Sequence, residues 1–358
     1  MNRLVATLES RMGTQAVLRT LPFAAMAAVV VLDLLAGPAL GLLPLLTLGP
    51  AFAAVTGGTR HTALAGLVAL VLSVPLAYHD HLLGGPLITI TLVAIVGVTA
   101  AAVLACRLRA EGERTLANVR LVAEAVQRVL LRPVPRHTGD LRIALSYTSA
   151  TVEARIGGDL YDITRGPCGI RLIVGDVQGK GLEAVETAAS VVGAFREAAY
   201  DEPTLAAVGR SLEDHLARRL GGEKFVTAVL AEVREDEISL LNYGHPPPLL
   251  LTSDGRVHRL EPGEEAPPLG LVALAPTGPE PYGRAFREGD QILFYTDGVY
   301  EARDRSGAFY PLEDRAPRLL RSRDPQDALD LLERDLVAHV GGPVPDDAAM
   351  LLVRRERP

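Results

Sequence analysis

Ile170-Arg-Leu-Ile-Val-Gly-Asp-Val-Gln-Gly-Lys-Gly181 carries an apolar run straight into an aspartate set among glycines. The run Ile170–Val174 has the length and β-branched content of a strand, so Asp176 stands at a strand end. Its neighbouring glycines let backbone come close to whatever the carboxylate holds. Aspartates recur in Gly157-Gly158-Asp159, Thr296-Asp297-Gly298 and Asp346-Asp347, spread over about 190 residues. No single loop accounts for that spread; a fold has to gather them. Carboxylates on a shared rim suit hard divalent ions such as Mg²⁺ and Mn²⁺, which keep several waters. Two such ions generate a hydroxide at neutral pH and brace an in-line displacement at phosphorus. The chain offers no G-x-S-x-G and no Cys-x5-Arg loop for a covalent route.

Around this stretch, strands are expected at 141–147, 225–233, 238–243, 248–251, 291–297 and 348–353, and helices at 182–200, 203–220, 312–321 and 325–340. Strands outnumber helices and do not alternate strictly with them, which favours sheets sandwiched between helices over a doubly wound parallel sheet. Asp176 and Asp297 end strands, Asp159 and Asp346 are expected in loops flanking strands, and 261–283 reads as a Pro/Gly-rich connector.

The first third is different in kind. Between Thr20 and Cys106 the only formally charged residues are Asp33, Arg60 and Asp80. Four apolar runs, 20–36, 39–57, 62–79 and 86–106, approach the ~17–25 residues of a bilayer-spanning helix. About four transmembrane helices are expected, three being the alternative. Arg3, Arg11 and Arg19 precede the first run, Arg60 lies between the second and third, and Arg107, Arg109 and Arg114 follow the last, which places both ends in the cytoplasm. A cleaved signal peptide fits less well, because three further apolar runs follow. Two cysteines, Cys106 and Cys168, do not make a disulfide framework.

Up to Arg132 the chain holds ten basic and six acidic residues, leaving 26 basic against 37 acidic beyond it. So acidic a soluble part is a poor nucleic-acid binder. Between the two parts, Arg107 to about Leu131 reads as a helix whose Leu116, Val119, Ala123, Val126 and Leu130 follow heptad spacing. The division is thus a multi-pass membrane domain at 1–106, a helical linker at 107–135 able to pair as a homodimer, and a catalytic domain at 136–358.

Five motifs stand in order: Ala154-Arg-Ile-Gly-Gly-Asp-Leu-Tyr-Asp162, Val174-Gly-Asp-Val-Gln-Gly-Lys-Gly181, Asn242-Tyr-Gly-His-Pro-Pro-Pro-Leu249, Leu293-Phe-Tyr-Thr-Asp-Gly-Val-Tyr-Glu-Ala-Arg-Asp304 and Asp346-Asp-Ala-Ala-Met-Leu-Leu-Val353. Over roughly 120–356 the chain resembles the SpoIIE-type serine phosphatases, a branch of the metal-dependent PPM superfamily. The resemblance implies an α-β-β-α sandwich with a dinuclear Mn²⁺ or Mg²⁺ centre that hydrolyses phosphoserine or phosphothreonine on a protein, such as an anti-sigma-factor antagonist. It implies that Asp159 and Asp176 ligate the metals, with Asp176 bridging and the Val177 carbonyl adding a ligand. Asp297 and Asp346 then complete the ligand set of the second metal, Asp347 being the alternative to Asp346.

Two residues depart from the family pattern: Ala349 stands where Thr or Ser is usual, and Tyr243 replaces a smaller residue. The first leaves a catalytically impaired pseudophosphatase, a phosphoprotein-binding module, as the alternative function. Gly-Gly-Asp also opens a diguanylate cyclase signature, but Leu160-Tyr161 stand where that needs Glu-Phe. His245 before three prolines reads as a structural turn or a phosphate contact. Lys180, Arg155 and Arg303 are candidates for attracting phosphate. Asp33 is expected near the outer end of its span, and His79-Asp80-His81 is a candidate external metal or pH sensor.

Overall fold

The computed structural model describes residues 2–36, 41–130, 133–148, 157–220, 224–274 and 278–356, with side chains from Leu18 onward except at 116, 119–130 and 220. The chain divides into two compact units, Met1–Ala117 and Asn118–Pro358. The heptad positions of the linker, Ala123 among them, fall outside the described side chains, and Arg155 lies outside the described residues.

The first unit contains α1 (Asn2–Ala36), a 3₁₀ turn (Leu43–Thr47), α2 (Leu48–Thr56), α3 (Thr59–His79) and the start of α4 (Pro86–Leu130). Among the described residues three segments are long and apolar enough to cross a membrane: Leu18–Ala36, Thr59–His79 and Pro86–Thr115. The expectation of four spanning helices is corrected at the second run, which forms only the short apolar segment Leu43–Thr56. Pro44 and Pro50 lack the N–H that a continuous helix would need, so one element breaks into a 3₁₀ turn and nine helical residues. The segment still runs the height of the unit. Leu43 packs with Leu76, Ala77 and Ile88 at one end, and Ala54 and Gly57 accept hydrogen bonds from Cys106 Sγ at the other. Gly49 leaves room for Met26 and Gly66 for Thr99, the small-residue contacts by which apolar helices approach closely. Leu35, Leu67, Val71 and Val93 point outward.

In the second unit, β1 (His137–Thr138), β2 (Leu141–Thr148), β3 (Asp159–Gly166) and β4 (Gly169–Val177) precede α5 (Leu182–Asp201) and α6 (Leu205–Leu220). Then come β5 (Val226–Arg234), β6 (Glu237–Tyr243), β7 (Leu249–Leu251), β8 (Val257–Arg259), β9 (Tyr282–Ala285) and β10 (Gln291–Tyr295). The unit closes with α7 (Asp297–Tyr300), α8 (Leu312–Leu319), α9 (Pro325–Val340) and β11 (Ala348–Arg355). One sheet runs β1-β2-β11-β10-β7-β8 and the other β3-β4-β5-β6-β9.

Why these strands stack is visible in β4. Ile170, Leu172 and Val174 alternate onto the face shared with Ile143, Phe294 and Val353 of the other sheet. Ile173 and Val177 point the opposite way, onto Val191, Phe195 and Leu212 of α5 and α6. The second sheet buries Leu293, Met350 and Leu352 under Leu329, Leu332 and Leu336 of α9. With both faces covered, each central strand is apolar nearly throughout, and the order of layers is helix, sheet, sheet, helix. α9 starts on Asp324, whose carboxylate accepts from Gln326 N, and stops at Gly341 in the left-handed conformation.

Two sequence expectations change here. β3 was not anticipated, because Asp-Leu-Tyr-Asp-Ile-Thr-Arg-Gly is too polar to read as a strand; Asp159 opens it instead of lying in a loop. The connector at 261–283 is anchored, since Leu269 is fully buried and exchanges two backbone hydrogen bonds with Val226.

Candidate metal centre

The antiparallel register of β3 and β4 places Asp159 directly opposite Asp176. β10 ends at Tyr295 and Asp297 begins α7, while Asp346 and Asp347 precede β11, the strand beside β10. Each sheet therefore delivers carboxylates to one end of the sandwich. There Gly158, Asp159, Asp176, Val177, Gly179, Lys180, Asp297, Asp346 and Asp347 line a cleft of about 120 Å³. Every predicted site residue, Val177 included, is in this lining.

Glycines make the approach feasible. A Cβ at Gly158 would lie 2.5 Å from the Val177 carbonyl oxygen and 2.8 Å from Asp176 Oδ1. One at Gly157 would collide with the Asp347 carboxylate, and one at Gly298 with the Asp347 carbonyl oxygen. The glycines beside these aspartates are thus demanded by space.

Asp159 is buried, and Thr296 Oγ1 donates to its Oδ2 at 3.0 Å. The same Thr296 oxygen accepts from Ala349 N at 3.0 Å. Support for Asp159 therefore runs through Thr296 and the backbone of Ala349, and the side chain missing at 349 is not what holds it. Thr296 is the functional residue the sequence reading passed over; its place one residue before Asp297, at a strand end, was the available signal.

Electrostatics set the chemistry of the cleft. Burial, with Asp297, Asp346 and Asp347 nearby, pushes the Asp176 carboxyl up to about 7, partly relieved by Lys180. Burial and Asp176 raise Asp159 well above the carboxylate range, against the Thr296 hydrogen bond, and burial with Asp346 raises Asp297. Lys180 Nζ pairs with Asp346 Oδ1 at 2.5 Å, and Asp347 N donates to the same oxygen at 2.9 Å. Such mutual repulsion is relieved by cations, and an all-oxygen donor set fits Mg²⁺ or Mn²⁺. Among the described residues no three His, Cys, Asp or Glu side chains yet converge on one point to hold an ion. The carboxylates ring the cleft, and the donor set rather than a preformed shell carries the fit.

Asp346 is half-buried and open to the cleft, whereas Asp347 is buried with its carboxylate against Gly157. His245 is buried, its Nδ1 3.1 Å from Thr227 Oγ1, and its backbone N–H donates to Asn242 Oδ1, which accords with a structural turn; burial pulls its pKa down to about 3. Arg303 lies over the Phe309 ring at 4.1 Å and does not line the cleft. Tyr243 is accommodated by Gly209 of α6, where any side chain would meet its hydroxyl. A larger groove of about 620 Å³, lined by His245, Arg259, Tyr295, Tyr300 and Phe309 among others, contains none of the five aspartates of the cleft.

Residues 167–356 match the family model described as stage II sporulation protein E, SpoIIE. A solved structure of the RsbU and RsbW domains of Rv1364c from Mycobacterium tuberculosis is 28% identical, with a TM-score of 0.50, over 61% of this chain and 60% of that one. The SiaA-PP2C domain of Pseudomonas aeruginosa shares the fold at 18% identity, with a TM-score of 0.53, over 70% of this chain and 99% of that domain. Protein IcfG of Synechocystis sp. is 26% identical over 126 residues, 35% of this chain, which spans 19% of that relative's length.

Proposed function

Because the chain belongs to the SpoIIE family, within the PP2C-type phosphatases, we propose that it is a membrane-anchored protein-serine/threonine phosphatase using a metal-activated water. The observation that carries the reading is the meeting of carboxylates from two sheets in one cleft. The proposed division is a membrane domain at 1–106, a helical linker at 107–135 and a catalytic domain at 136–358, with the catalytic domain cytoplasmic.

In this reading two Mn²⁺ or Mg²⁺ ions, when bound, supply the hydroxide and neutralise charge at phosphorus. Asp176, which stands opposite Asp159, would be the carboxylate that helps hold both ions. Asp159 and the Val177 carbonyl would help hold the ions from one sheet, and Asp297 and Asp346 from the other. Thr296 orients Asp159, its hydroxyl hydrogen bound to that carboxylate, so that the carboxylate lone pairs aim into the cleft. Lys180, paired with Asp346 at the cleft, supplies a positive charge that would attract an incoming phosphate.

The proposed substrate is a phosphorylated regulatory protein of the anti-sigma-factor-antagonist type; likeness to a chain with RsbU and RsbW domains supports that context. Dimerisation through the 107–131 helix is part of the proposal. Replacing Val119 and Val126 with Asp should lower the sedimenting mass, and an unchanged mass removes it. The central test is Mn²⁺-dependent phosphate release from a phosphoserine protein and from p-nitrophenyl phosphate. It should disappear in Asp176→Asn, and activity that survives defeats the two-metal reading.

A further inference from the structure

The motif Asn242-Tyr-Gly-His-Pro-Pro-Pro-Leu249 brings no carboxylate to the cleft; Pro246 and Pro247 instead line the groove of about 620 Å³. Cleft and groove meet at α7, whose first residue, Asp297, lines the one and whose last, Tyr300, lines the other. Three residues of helix, about 4.5 Å of rise, separate them. Two aromatic side chains of the groove are open to solvent, Tyr300 at 39% and Phe309 at 51% exposure. Both are held in place. The Tyr300 ring stands edge-on to Tyr295 at 6.4 Å, while Phe309 lies under the Arg303 guanidinium and shares a backbone bridge with Arg303. Fixed aromatic and proline surface of this kind suits an extended peptide, because little of the wall has to be ordered on binding.

Charge gives the occupant its sign. Arg259 is the one Lys or Arg among the groove's lining residues, and it is engaged by Glu261 at 3.0 Å and Glu313 at 3.1 Å. Asp314, also in the lining, is exposed and makes no ion pair among the described residues. Glu313 and Asp314 against Arg259 leave an acidic excess, which a basic residue on the occupant complements.

We propose that this groove docks the polypeptide that flanks the phosphoserine of the substrate protein, taking an extended apolar segment that carries a basic residue. The inference rests on the phosphatase reading: with the phosphate in the cleft, the chain on one side of it leaves over neighbouring surface, and the groove begins at the far end of α7. At about 3.3 Å per extended residue, contact starts about two residues from the phosphoserine and continues outward. The cleft thus supplies chemistry common to any phosphoserine, and the groove supplies the choice among them.

The test uses the full chain in lipid nanodiscs with Mn²⁺ and two phosphoserine peptides, one with Leu and Lys within about four residues on both sides, the other with Gly and Asp there. Affinity is read by fluorescence anisotropy on labelled copies with a non-hydrolysable phosphonate in place of the phosphate ester. Turnover is read on the phosphopeptides and on p-nitrophenyl phosphate, which has no flanking chain to dock. Wild type should favour the Leu-Lys peptide about tenfold in both Kd and KM. Phe309→Ala should remove most of that advantage by raising KM, with kcat and p-nitrophenyl phosphate turnover staying within about twofold. Asp314→Lys should move the preference towards the Gly-Asp peptide. Both side chains are exposed, so neither change disturbs the core. Equal affinity of wild type for the two peptides overturns the proposal, as does a Phe309→Ala chain that keeps the full advantage or loses p-nitrophenyl phosphate turnover in step with peptide turnover. Absent p-nitrophenyl phosphate turnover beside Phe309-dependent binding would instead overturn the phosphatase reading and leave the groove a peptide site.

Discussion

Both units bury acidic side chains, and they surround them differently. In the catalytic cleft Asp159, Asp176, Asp297 and Asp346 come from two sheets and share a space of about 120 Å³ with Lys180. In the first unit Asp33 in α1 and Asp80 at the end of α3 are buried, each with one carboxyl oxygen that meets no donor. An open group of four or five carboxylates has room for hydrated divalent ions. Access and number, more than residue type, decide whether buried carboxylates can take a divalent ion.

That contrast breaks most completely at Asp176. Asp176→Asn in the full chain should bring Mn²⁺-dependent phosphate release down to background, measured on a phosphoserine protein. Thr296→Val removes the hydroxyl that holds Asp159 and accepts from Ala349 N. It should weaken metal affinity by about 10–100-fold, as loss of an outer hydrogen bond to a ligand does, read by calorimetric Mn²⁺ titration. Gly298→Ala forces a methyl onto the Asp347 carbonyl oxygen and should destabilise the fold by about 1–3 kcal/mol in urea denaturation.

Metal removal gives a pH signature. Asp176 is raised from the ordinary carboxylate range to about 7, so its contribution to stability is largest in acid and is lost as pH rises towards 7. Metal-chelated protein should therefore lose Tm between about pH 4 and pH 7, and Mn²⁺ should reverse the loss. An unchanged Tm on adding Mn²⁺ at pH 7 would contradict the cation-relief argument. The smallest effect is expected from Asp33→Asn, whose phosphate release should stay within about twofold of wild type because Asp33 belongs to the first unit and does not line the cleft.

Legibility from sequence followed local chemistry. The apolar strands β4, β5, β10 and β11 and the amphipathic helices α5, α6 and α9 were readable because their periodicity is set by burial on known faces. β3 was not, since its polar residues find long-range partners that no window contains: Asp162 is paired with Arg196 of α5 at 2.6 Å. The cleft aspartates were readable from glycine neighbours, but the role of Thr296 depends on a contact with Asp159, 137 positions away. The second apolar run misled because composition registers its leucines and not the missing N–H groups of Pro44 and Pro50.

The pairing of Asp159 with Asp176 has a remote ruler. Gly166 and Gly169 close the β3–β4 hairpin over Pro167 and Cys168, with Gly169 at φ +122°. Seven residues along each strand, about 24 Å at strand rise, separate that turn from the carboxylates. Adding or deleting one residue there would shift the ladder by a step and turn one aspartate to the opposite face of the sheet. The far end of this hairpin, with no chemistry of its own, sets the spacing of two metal ligands by counting residues.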